Sequence, residues 1–298
     1  MGSNPTSSAV LGTGSRDQTS YIKHMKLKNS IYYIPYQQLI KANISFADFA
    51  KKKPYYNEMA FLFEKASSRN LYTEQEAGFI IDIAKKYIKQ PKDFLDIPCG
   101  VGRHSKILSK NRFNVVGIDF SKQLLSLAKK TDTKTKYIRS DMRDFNARKR
   151  FDCIYSIWDA YVYLSRPKDI RKFIAKAYQH SKSKSILILD ARNFWQKNPT
   201  DRLTQKIFSV GGYNIEMVAK RTTNIKDKVH EAIFMYSLKS KKGGALVVEQ
   251  ELVHIYSISE IKRLLKNKFK VTKLFGDFAQ NPYHPDRSSR LIIVAQKI

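Results

Sequence analysis

The stretch Phe94-Leu95-Asp96-Ile97-Pro98-Cys99-Gly100-Val101-Gly102 joins an apolar run to an acidic turn that carries two glycines. Short apolar runs bounded by glycine and proline are typical of buried strands. A second apolar run, Val115-Val116-Gly117-Ile118, ends at Asp119. The pattern predicts two neighbouring strands of an α/β sheet, each with a carboxylate at its carboxyl end.

This turn favours a nucleoside ligand over a dinucleotide. Gly100 and Gly102 let a ligand approach the main chain closely, and Asp119 stands where an acidic residue accepts hydrogen bonds from both ribose hydroxyls. Asp96 would repel a pyrophosphate but attract an ammonium group. Arg103-His104-Ser105 also leaves the dinucleotide motif without its third glycine. The alternative is an ordinary turn that packs a helix on a strand.

The neighbouring sequence alternates between strand and helix patterns. Strands are predicted at 93–97, 114–118, 136–139, 151–157 and 185–190, and helices at 103–110, 121–130 and 167–180. A further helix precedes the first strand, with Thr73 as N-cap and Glu76 three residues later. This alternation predicts a parallel sheet with helices on both faces.

The pattern changes between Lys206 and Tyr256. Period-two alternation, broken by three turn-rich stretches, predicts an antiparallel sheet of about four strands. A helix over 257–266, capped by Ser257 or Ser259, and strands at 269–275 and 290–296 complete the chain.

The glycine turn, Asp119 and the later Asp141 resemble the motifs of class I S-adenosylmethionine-dependent methyltransferases, over roughly Tyr55 to Ile298. The resemblance implies an α/β fold with a Rossmann-like, seven-stranded, mostly parallel sheet, helices on both faces, a small antiparallel β lid and an N-terminal helical cap. The implied divisions are a tag or leader at 1–24, the cap at 25–72, the methyltransferase domain at 73–204 and 257–298, and the lid at 205–256.

The resemblance also implies a cofactor site for S-adenosylmethionine. Asp119 would bind the ribose, and Asp141 with Met142 would face the adenine, whose amino group can donate to a carboxylate. The alternative for residues 141–144 is a polar turn. The implied cofactor-binding residues are Tyr56, Asp96, Cys99, Gly100, Gly102, Arg103, Asp119, Phe120, Asp141, Met142, Ile157 and Trp158.

The run Cys-Gly-x-Gly-Arg-His at 99–104 and the closing stretch from Gly276 to Ala295 resemble a group of bacterial and archaeal methyltransferases. This group is similar to enzymes that methylate amines of small molecules beneath a β lid. The resemblance therefore implies a small-molecule acceptor with an amine or oxygen nucleophile.

An amine or alcohol acceptor requires a base to take its proton. Asp159, at the end of the fourth strand, is the first candidate, because open α/β sheets bind ligands at that edge; His254 in the lid is the second. Aromatic and basic side chains nearby can line the acceptor site by cation–π or ionic contacts. The candidate substrate-binding residues are Tyr161, Tyr163, Arg192, Tyr283 and His284.

The composition indicates a globular chain of 298 residues with 42% hydrophobic residues. Neither a membrane span nor a signal peptide is apparent, and the two cysteines suit a reducing compartment, so we expect a cytoplasmic protein. No cysteine or histidine spacing suits a metal. Residues 1–24 end in a dipeptide typical of a cloning junction, and we expect native sequence from Met25.

The formal net charge of +29 leaves other functions open. Much of the basic excess lies between residues 96 and 194, which raises the prospect of a polyanionic partner and of an RNA methyltransferase. A lysine-rich composition would give the same excess. A third hypothesis is a protein that binds the cofactor without catalysis. The sequence leaves the oligomeric state undetermined.

Overall fold

The computed structural model describes residues 72–195, 202–210, 213–240 and 243–298. The predicted leader and cap, except Tyr72, lie outside these residues, as does Tyr56. Within the described part of the chain, no helix combines the length and apolarity that a membrane crossing requires.

The described residues contain five α-helices, eleven strands and one 3₁₀-helix, Ala160–Tyr163. The helices are α1 (Thr73–Tyr87), α2 (Arg103–Lys110), α3 (Lys122–Thr131), α4 (Pro167–Gln179) and α5 (Ile258–Leu265). The first strands are β1 (Asp93–Asp96), β2 (Asn114–Asp119), β3 (Lys136–Arg139), β4 (Phe151–Ser156) and β5 (Ser181–Arg192). The others are β6 (Arg202–Val210), β7 (Tyr213–Asn224), β8 (Val229–Ser240), β9 (Gly243–His254), β10 (Phe269–Phe275) and β11 (Arg290–Lys297).

Seven strands form one sheet in the order β10-β11-β5-β4-β1-β2-β3. Strands β1 to β5 pair in parallel, whereas β11 is antiparallel to both β5 and β10. The sheet is therefore mostly parallel, and the predicted α/β fold class is confirmed. Strand order reverses between β1 and β4, where open α/β sheets place their ligands.

Helices cover both faces of this sheet. Ile83 on α1 and Leu108 on α2 pack into one buried cluster, while Phe173 on α4 and Ile261 on α5 pack into another. All four side chains are fully buried. Because β4 is central and has helices on both sides, each of its residues is buried, as expected for a parallel strand.

Local signals explain some helix ends but not all. Ser257 accepts a hydrogen bond from the Glu260 backbone N–H, and the Glu260 carboxylate accepts one from the Ser257 N–H, so a capping box starts α5. The corresponding prediction for α1 is wrong. Tyr72 is its N-cap and makes no side-chain hydrogen bond to the helix. Glu76 is buried, and its carboxylate contacts His104, Trp158 and Arg103 instead of capping the helix.

The remaining strands form a separate antiparallel sheet in the order β6-β7-β8-β9, which we call the lid. Residues that face each other across its ladders share a face of the sheet. Lys206 lies opposite Met217, which lies opposite Tyr236. Arg221 lies opposite Ala232, which in turn lies opposite Glu251. Aromatic, aliphatic and charged side chains therefore alternate along one face of the lid.

Candidate active site

A cavity of about 520 Å³ lies at the carboxyl ends of β1, β2, β4 and β5, beneath the lid. Its volume is within the usual range for small-molecule sites. Its lining comes from the β1 turn, the loops after β2, β3 and β4, and the lid face that carries Met217, Tyr236 and Glu251. The predicted residues among those lining it are Asp96, Cys99, Gly100, Arg103, Asp119, Phe120, Asp141, Met142, Ile157, Trp158, Asp159, Tyr163 and Arg192.

The glycine turn has the backbone that its sequence predicts. Gly100 and Gly102 both have positive φ, at 54° and 72°, where glycine is favoured. Gly102 precedes α2, and a Cβ there would come within 2.2 Å of the Tyr137 hydroxyl oxygen. The turn can therefore adopt this conformation and packing only with glycine at 102. Gly102 thus shapes the cavity without being among its lining residues.

Asp119 connects the two loops at the front of the cavity. Its buried carboxylate accepts hydrogen bonds from the Gly100 N–H at 2.9 Å and the Ser121 N–H at 2.8 Å, one to each oxygen. Each carboxylate oxygen retains acceptor capacity for a ligand hydroxyl. Burial raises the pKa of Asp119 to about 6, against the effect of these hydrogen bonds.

Asp96 is deeper in the same turn. Its carboxylate accepts a hydrogen bond from the Ser105 hydroxyl at 2.7 Å, and burial raises its pKa to about 7. A carboxyl group with a pKa near 7 is partly protonated at neutral pH. It becomes fully ionised when a cation approaches, because a nearby positive charge favours the ionised form. Asp96 is thus suited to an ammonium ligand.

The loop after β3 supplies Asp141 and Met142. Asp141 is half-buried and its carboxylate accepts hydrogen bonds from Arg143, with Nη2 to Oδ2 at 2.8 Å and Nε to Oδ1 at 3.0 Å. Arg143 also approaches Asp169 at the start of α4, at 3.4 Å. The ion pairs hold this loop in shape and tie it to the start of α4.

Glu76 organises one wall of the cavity, a role that the sequence analysis missed. Its buried carboxylate accepts a hydrogen bond from Trp158 Nε1 at 2.9 Å, lies 2.7 Å from His104 Nε2 and pairs with Arg103 Nη1 at 3.0 Å. Burial lowers the pKa of His104 to about 4, so its ring is neutral at pH 7. Although burial alone would raise it, His104 and Arg103 hold the pKa of Glu76 below its usual value.

The indole of Trp158 is thereby fixed at the cavity edge. The Arg103 guanidinium lies over its ring, 4.4 Å from the centroid, and 46% of the residue's surface is exposed. Trp158 and Asp159 are consecutive non-glycine residues with φ of 62°. Such backbone costs on the order of 1 to 3 kcal/mol per residue and clusters at functional sites. Asp190 holds it by accepting the Trp158 N–H at 2.8 Å.

A series of ion pairs built on the buried carboxylates of Asp190 and Asp159 continues towards the lid. Arg290 pairs with Asp190 at 2.5 Å and with Asp159 at 3.2 Å. Asp159 in turn accepts hydrogen bonds from Arg192 Nε at 2.7 Å and from the Arg192 backbone N–H at 2.5 Å. Burial alone would raise the pKa of Asp159, but Arg192 and Arg290 lower it below its usual value. Asp159 is therefore a fixed anion that orients Arg192.

Besides Gly102, four predicted site residues have structural contacts and are not among those that line the cavity. Tyr161 is buried against Tyr256, with ring centroids 6.0 Å apart. The Tyr283 hydroxyl donates to Asn193 Oδ1 at 3.1 Å, and the His284 N–H donates to Ser288 Oγ at 2.8 Å.

His254 is the fourth of these residues. It packs edge-on against Tyr256 at 4.5 Å, with its Nε2 3.8 Å from a Glu260 oxygen. Burial lowers its pKa. The sequence places these residues near the sheet edge, but which way each side chain turns depends on tertiary packing. Their roles remain predictions.

Residues 94–184 match the model of a methyltransferase domain. The chain is similar to the glycine/sarcosine N-methyltransferase of Parasynechococcus marenigrum, with 27% identity over 244 residues, 79% of this chain and 82% of the relative. It is also similar to an amino-sugar nucleotide N,N-dimethyltransferase of Streptomyces venezuelae, with 24% identity over 115 residues, 39% of this chain and 48% of the relative. The chain thus spans only about half the length of some curated relatives that it matches.

The fold matches a solved S-adenosylmethionine-dependent methyltransferase from Clostridium acetobutylicum, with a TM-score of 0.68 and 16% identity over 80% of this chain and 98% of that one. At this identity the match shows the fold alone. Domain match and fold together confirm the predicted resemblance to class I methyltransferases.

Proposed function

We propose that this class I methyltransferase transfers a methyl group from S-adenosylmethionine to an amine nitrogen of a small molecule and releases S-adenosylhomocysteine. One observation carries the proposal. A cavity lined on its sheet side by the buried carboxylates Asp96 and Asp119 is closed on its other side by a lid face that combines aromatic rings with both signs of charge.

The residues of the sheet edge fit this cofactor. Asp119 offers an acceptor oxygen to each ribose hydroxyl, Asp96 offers a negative charge to the ammonium, and Asp141 and Met142 border the space for the adenine. A buried carboxylate at Asp96 disfavours a pyrophosphate at this turn. The carboxylates therefore favour an adenosyl sulfonium over a dinucleotide.

The lid face and Arg192 fit an acceptor that carries charge. Arg192 lines the cavity while Asp159 fixes its orientation, so it can bind a carboxylate or another anionic group of the acceptor. Glu251 lines the cavity from β9. We propose that Glu251 binds the acceptor's ammonium group and accepts the proton that this group loses. Asp159 is a poor base because its pKa is lowered.

The bound cofactor supplies an electrophilic methyl group on a positively charged sulfur. The protein must then align the nucleophile with that methyl group, which can contribute much of the rate because well-oriented reactants reach effective molarities of about 10⁵ M or more. Phe234, Tyr236 and Met217 exclude water from the acceptor's side of the cavity. Trp158, held by Glu76, adds a ring face that favours positive charge.

The relatives support this choice of acceptor. Two of them carry names that specify methylation of an amine, of glycine and sarcosine in one case and of an amino sugar in the other. An RNA methyltransferase is less well supported, because the lid covers the cavity. A protein that binds the cofactor without catalysis is less well supported, because it does not account for the charged lid face on the acceptor's side of the cavity.

Methyl transfer can be tested with methyl-labelled S-adenosylmethionine. The protein would be incubated with small amines, including glycine and 3-amino sugars, each paired with its hydroxyl analogue, and separately with total RNA. We expect label in one or more amines and none in the hydroxyl analogues. Label that enters only RNA, or only hydroxyl compounds, would contradict the proposal.

A further inference from the structure

Exposed cations are concentrated at the edge of the seven-stranded sheet opposite the cavity. They precede or begin four neighbouring strands, β4, β1, β2 and β3. We call this surface the basic edge, and it consists of Lys92, Arg112, Lys134, Lys136, Arg148 and Arg150. Lys184 on β5 and Lys270 on β10 continue it across the sheet.

Part of the basic edge is concave. Lys134, Lys136 and Arg148 line a cleft of about 420 Å³ with Lys149. Lys149 is paired with Asp93 at 2.5 Å. Among the described residues, the other three cations of the cleft have no ion pair. The cleft therefore presents uncompensated positive charge to a ligand.

Neighbouring groups respond to this charge. Although burial alone would raise it, hydrogen bonds from Lys149 and Lys182 lower the pKa of Asp93 to about 2. The pKa of Lys297, at the end of β11, is lowered by burial and then by repulsion from Arg150. The positive potential thus extends from β1 across β4 towards β11.

The backbone at this edge is a second observation. Arg112, Arg148 and Lys184 have φ of 65°, 51° and 58°. Residues with a Cβ are uncommon in this region, where glycine and asparagine are favoured. Cationic side chains stand at turns whose backbone favours other residues, so the turn geometry does not account for their identity.

Helix dipoles account for some cations near this edge but not for those of the cleft. Lys110 and Lys129 lie in the last turns of α2 and α3, where positive charge offsets the negative end of the helix. Arg112 directly follows the C-cap of α2 and is explained in the same way. Lys134, Lys136, Arg148 and Arg150 instead precede or begin strands, outside the last turn of any helix.

We propose that the basic edge binds the phosphate backbone of a nucleic-acid duplex. At about 4.8 Å between strands, the seven strands extend about 29 Å, close to the length of eight base pairs. A concave cleft suits a phosphate strand better than a flat lipid surface. Of the exposed large apolar side chains in the described residues, only Ile298 lies at this edge, so neither membrane insertion nor stacking of single-stranded bases is favoured.

The duplex would be a docking partner and not the methyl acceptor. The cavity opens at the carboxyl ends of the strands, whereas the basic edge lies at their amino ends. A bound duplex leaves the lid and the cavity accessible to a small molecule. The inference therefore stands independently of the proposed methyl transfer.

A labelled 20-base-pair DNA duplex and fluorescence anisotropy would test this assignment. The triple variant K134Q/K136Q/R148Q removes three cations of the cleft, and the matched control K122Q/K220Q/K226Q removes three exposed cations from α3 and the lid. We expect the cleft variant to bind at least tenfold more weakly at 100 mM salt. Its plot of log affinity against log salt should flatten by roughly 2 to 3, since each phosphate contact contributes about 0.9. The control should stay within twofold of the unmodified chain.

Further measurements separate the alternatives. Unchanged melting temperature and unchanged affinity for S-adenosylhomocysteine would show that the cleft variant is folded. Equal weakening by both triple variants would mean diffuse charge and overturn the assignment. So would a cleft variant that binds the duplex normally, or one that loses binding only to vesicles containing anionic lipid.

Discussion

Asp119 has two tasks in one carboxylate. It ties the Gly100 and Ser121 loops together, and in the proposed cofactor site its remaining lone pairs would accept hydrogen bonds from the ribose hydroxyls. We expect D119N to weaken S-adenosylhomocysteine binding by roughly 1 to 3 kcal/mol, because one strong acceptor is lost for the hydroxyls. Calorimetric titration measures this. The control is D152N, which replaces a buried carboxylate at the other edge of the sheet and should bind S-adenosylhomocysteine normally. Equal affinity for D119N and the unmodified chain would contradict the ribose assignment.

The raised pKa values of Asp96 and Asp119, about 7 and about 6, make cofactor binding dependent on pH. Both folded-state values exceed the ordinary value, so in the free protein these groups favour folding at low pH and lose that contribution as pH rises through 6 to 7. A ligand that donates to the carboxylates favours their ionised forms. Binding should therefore release protons and strengthen as pH rises towards about 7.

Calorimetry in two buffers of different ionisation enthalpy measures this proton release. Below pH 6 we expect affinity for S-adenosylhomocysteine to fall by up to about tenfold per pH unit for each linked group. Replacing Asp96 by asparagine should remove the dependence between pH 6 and 7. An affinity that does not change between pH 5.5 and 8 would show that neither carboxylate receives the ligand.

Helix α1 contributes to the cavity through Glu76. This carboxylate joins α1 to α2 and to the loop after β4, so its loss leaves Arg103 without its buried partner. We expect E76Q to reduce the free energy of unfolding by roughly 3 kcal/mol and to increase the mobility of Trp158. Chemical denaturation and Trp fluorescence anisotropy measure these effects. E74Q, on the exposed side of the same helix, should match the unmodified chain.

The lid gives a prediction about the acceptor. Glu251 faces the cavity, whereas Glu216 lies on the opposite face of the same sheet. Once an amine acceptor is identified, we expect E251Q to reduce kcat/KM for that acceptor at least tenfold. The KM for S-adenosylmethionine should not change, because the variant removes only the carboxylate that binds the acceptor's ammonium group. E216Q should be neutral. Normal acceptor kinetics in E251Q would show that a group other than Glu251 binds the acceptor's ammonium group.

The elements of the fold are largely predictable because they follow from local periodicity. The predicted bounds of α2, β3 and β10 coincide with those observed. Strand β5 is longer than predicted, because its ends pair with Phe151 on β4 and Arg290 on β11, partners that are distant in sequence. Pairing across the sheet extends a strand beyond its apolar run.

The site is predictable where the backbone dictates it and less so where side chains meet across elements. Gly100, Gly102 and Asp119 follow from a turn with few alternatives. Glu76 appears in the sequence as part of a helix cap, since nothing local indicates that Trp158, 82 residues later in the chain, will contact it. Lid positions such as Glu251 depend on the register of β8 against β9.

Charge is distributed unevenly between the two edges of the sheet. The carboxyl edge holds the paired groups of the cavity, and the amino edge holds exposed cations. This arrangement separates the acceptor site that we propose from the surface that we assign to a nucleic-acid duplex. The net charge of +29 therefore does not by itself make the chain an RNA methyltransferase.

Calorimetric titration of the full chain with S-adenosylhomocysteine, and separately with a nicotinamide dinucleotide, tests the central claim most directly. We expect saturable binding of one S-adenosylhomocysteine per chain and no heat with the dinucleotide. Binding of the dinucleotide without binding of S-adenosylhomocysteine would contradict it.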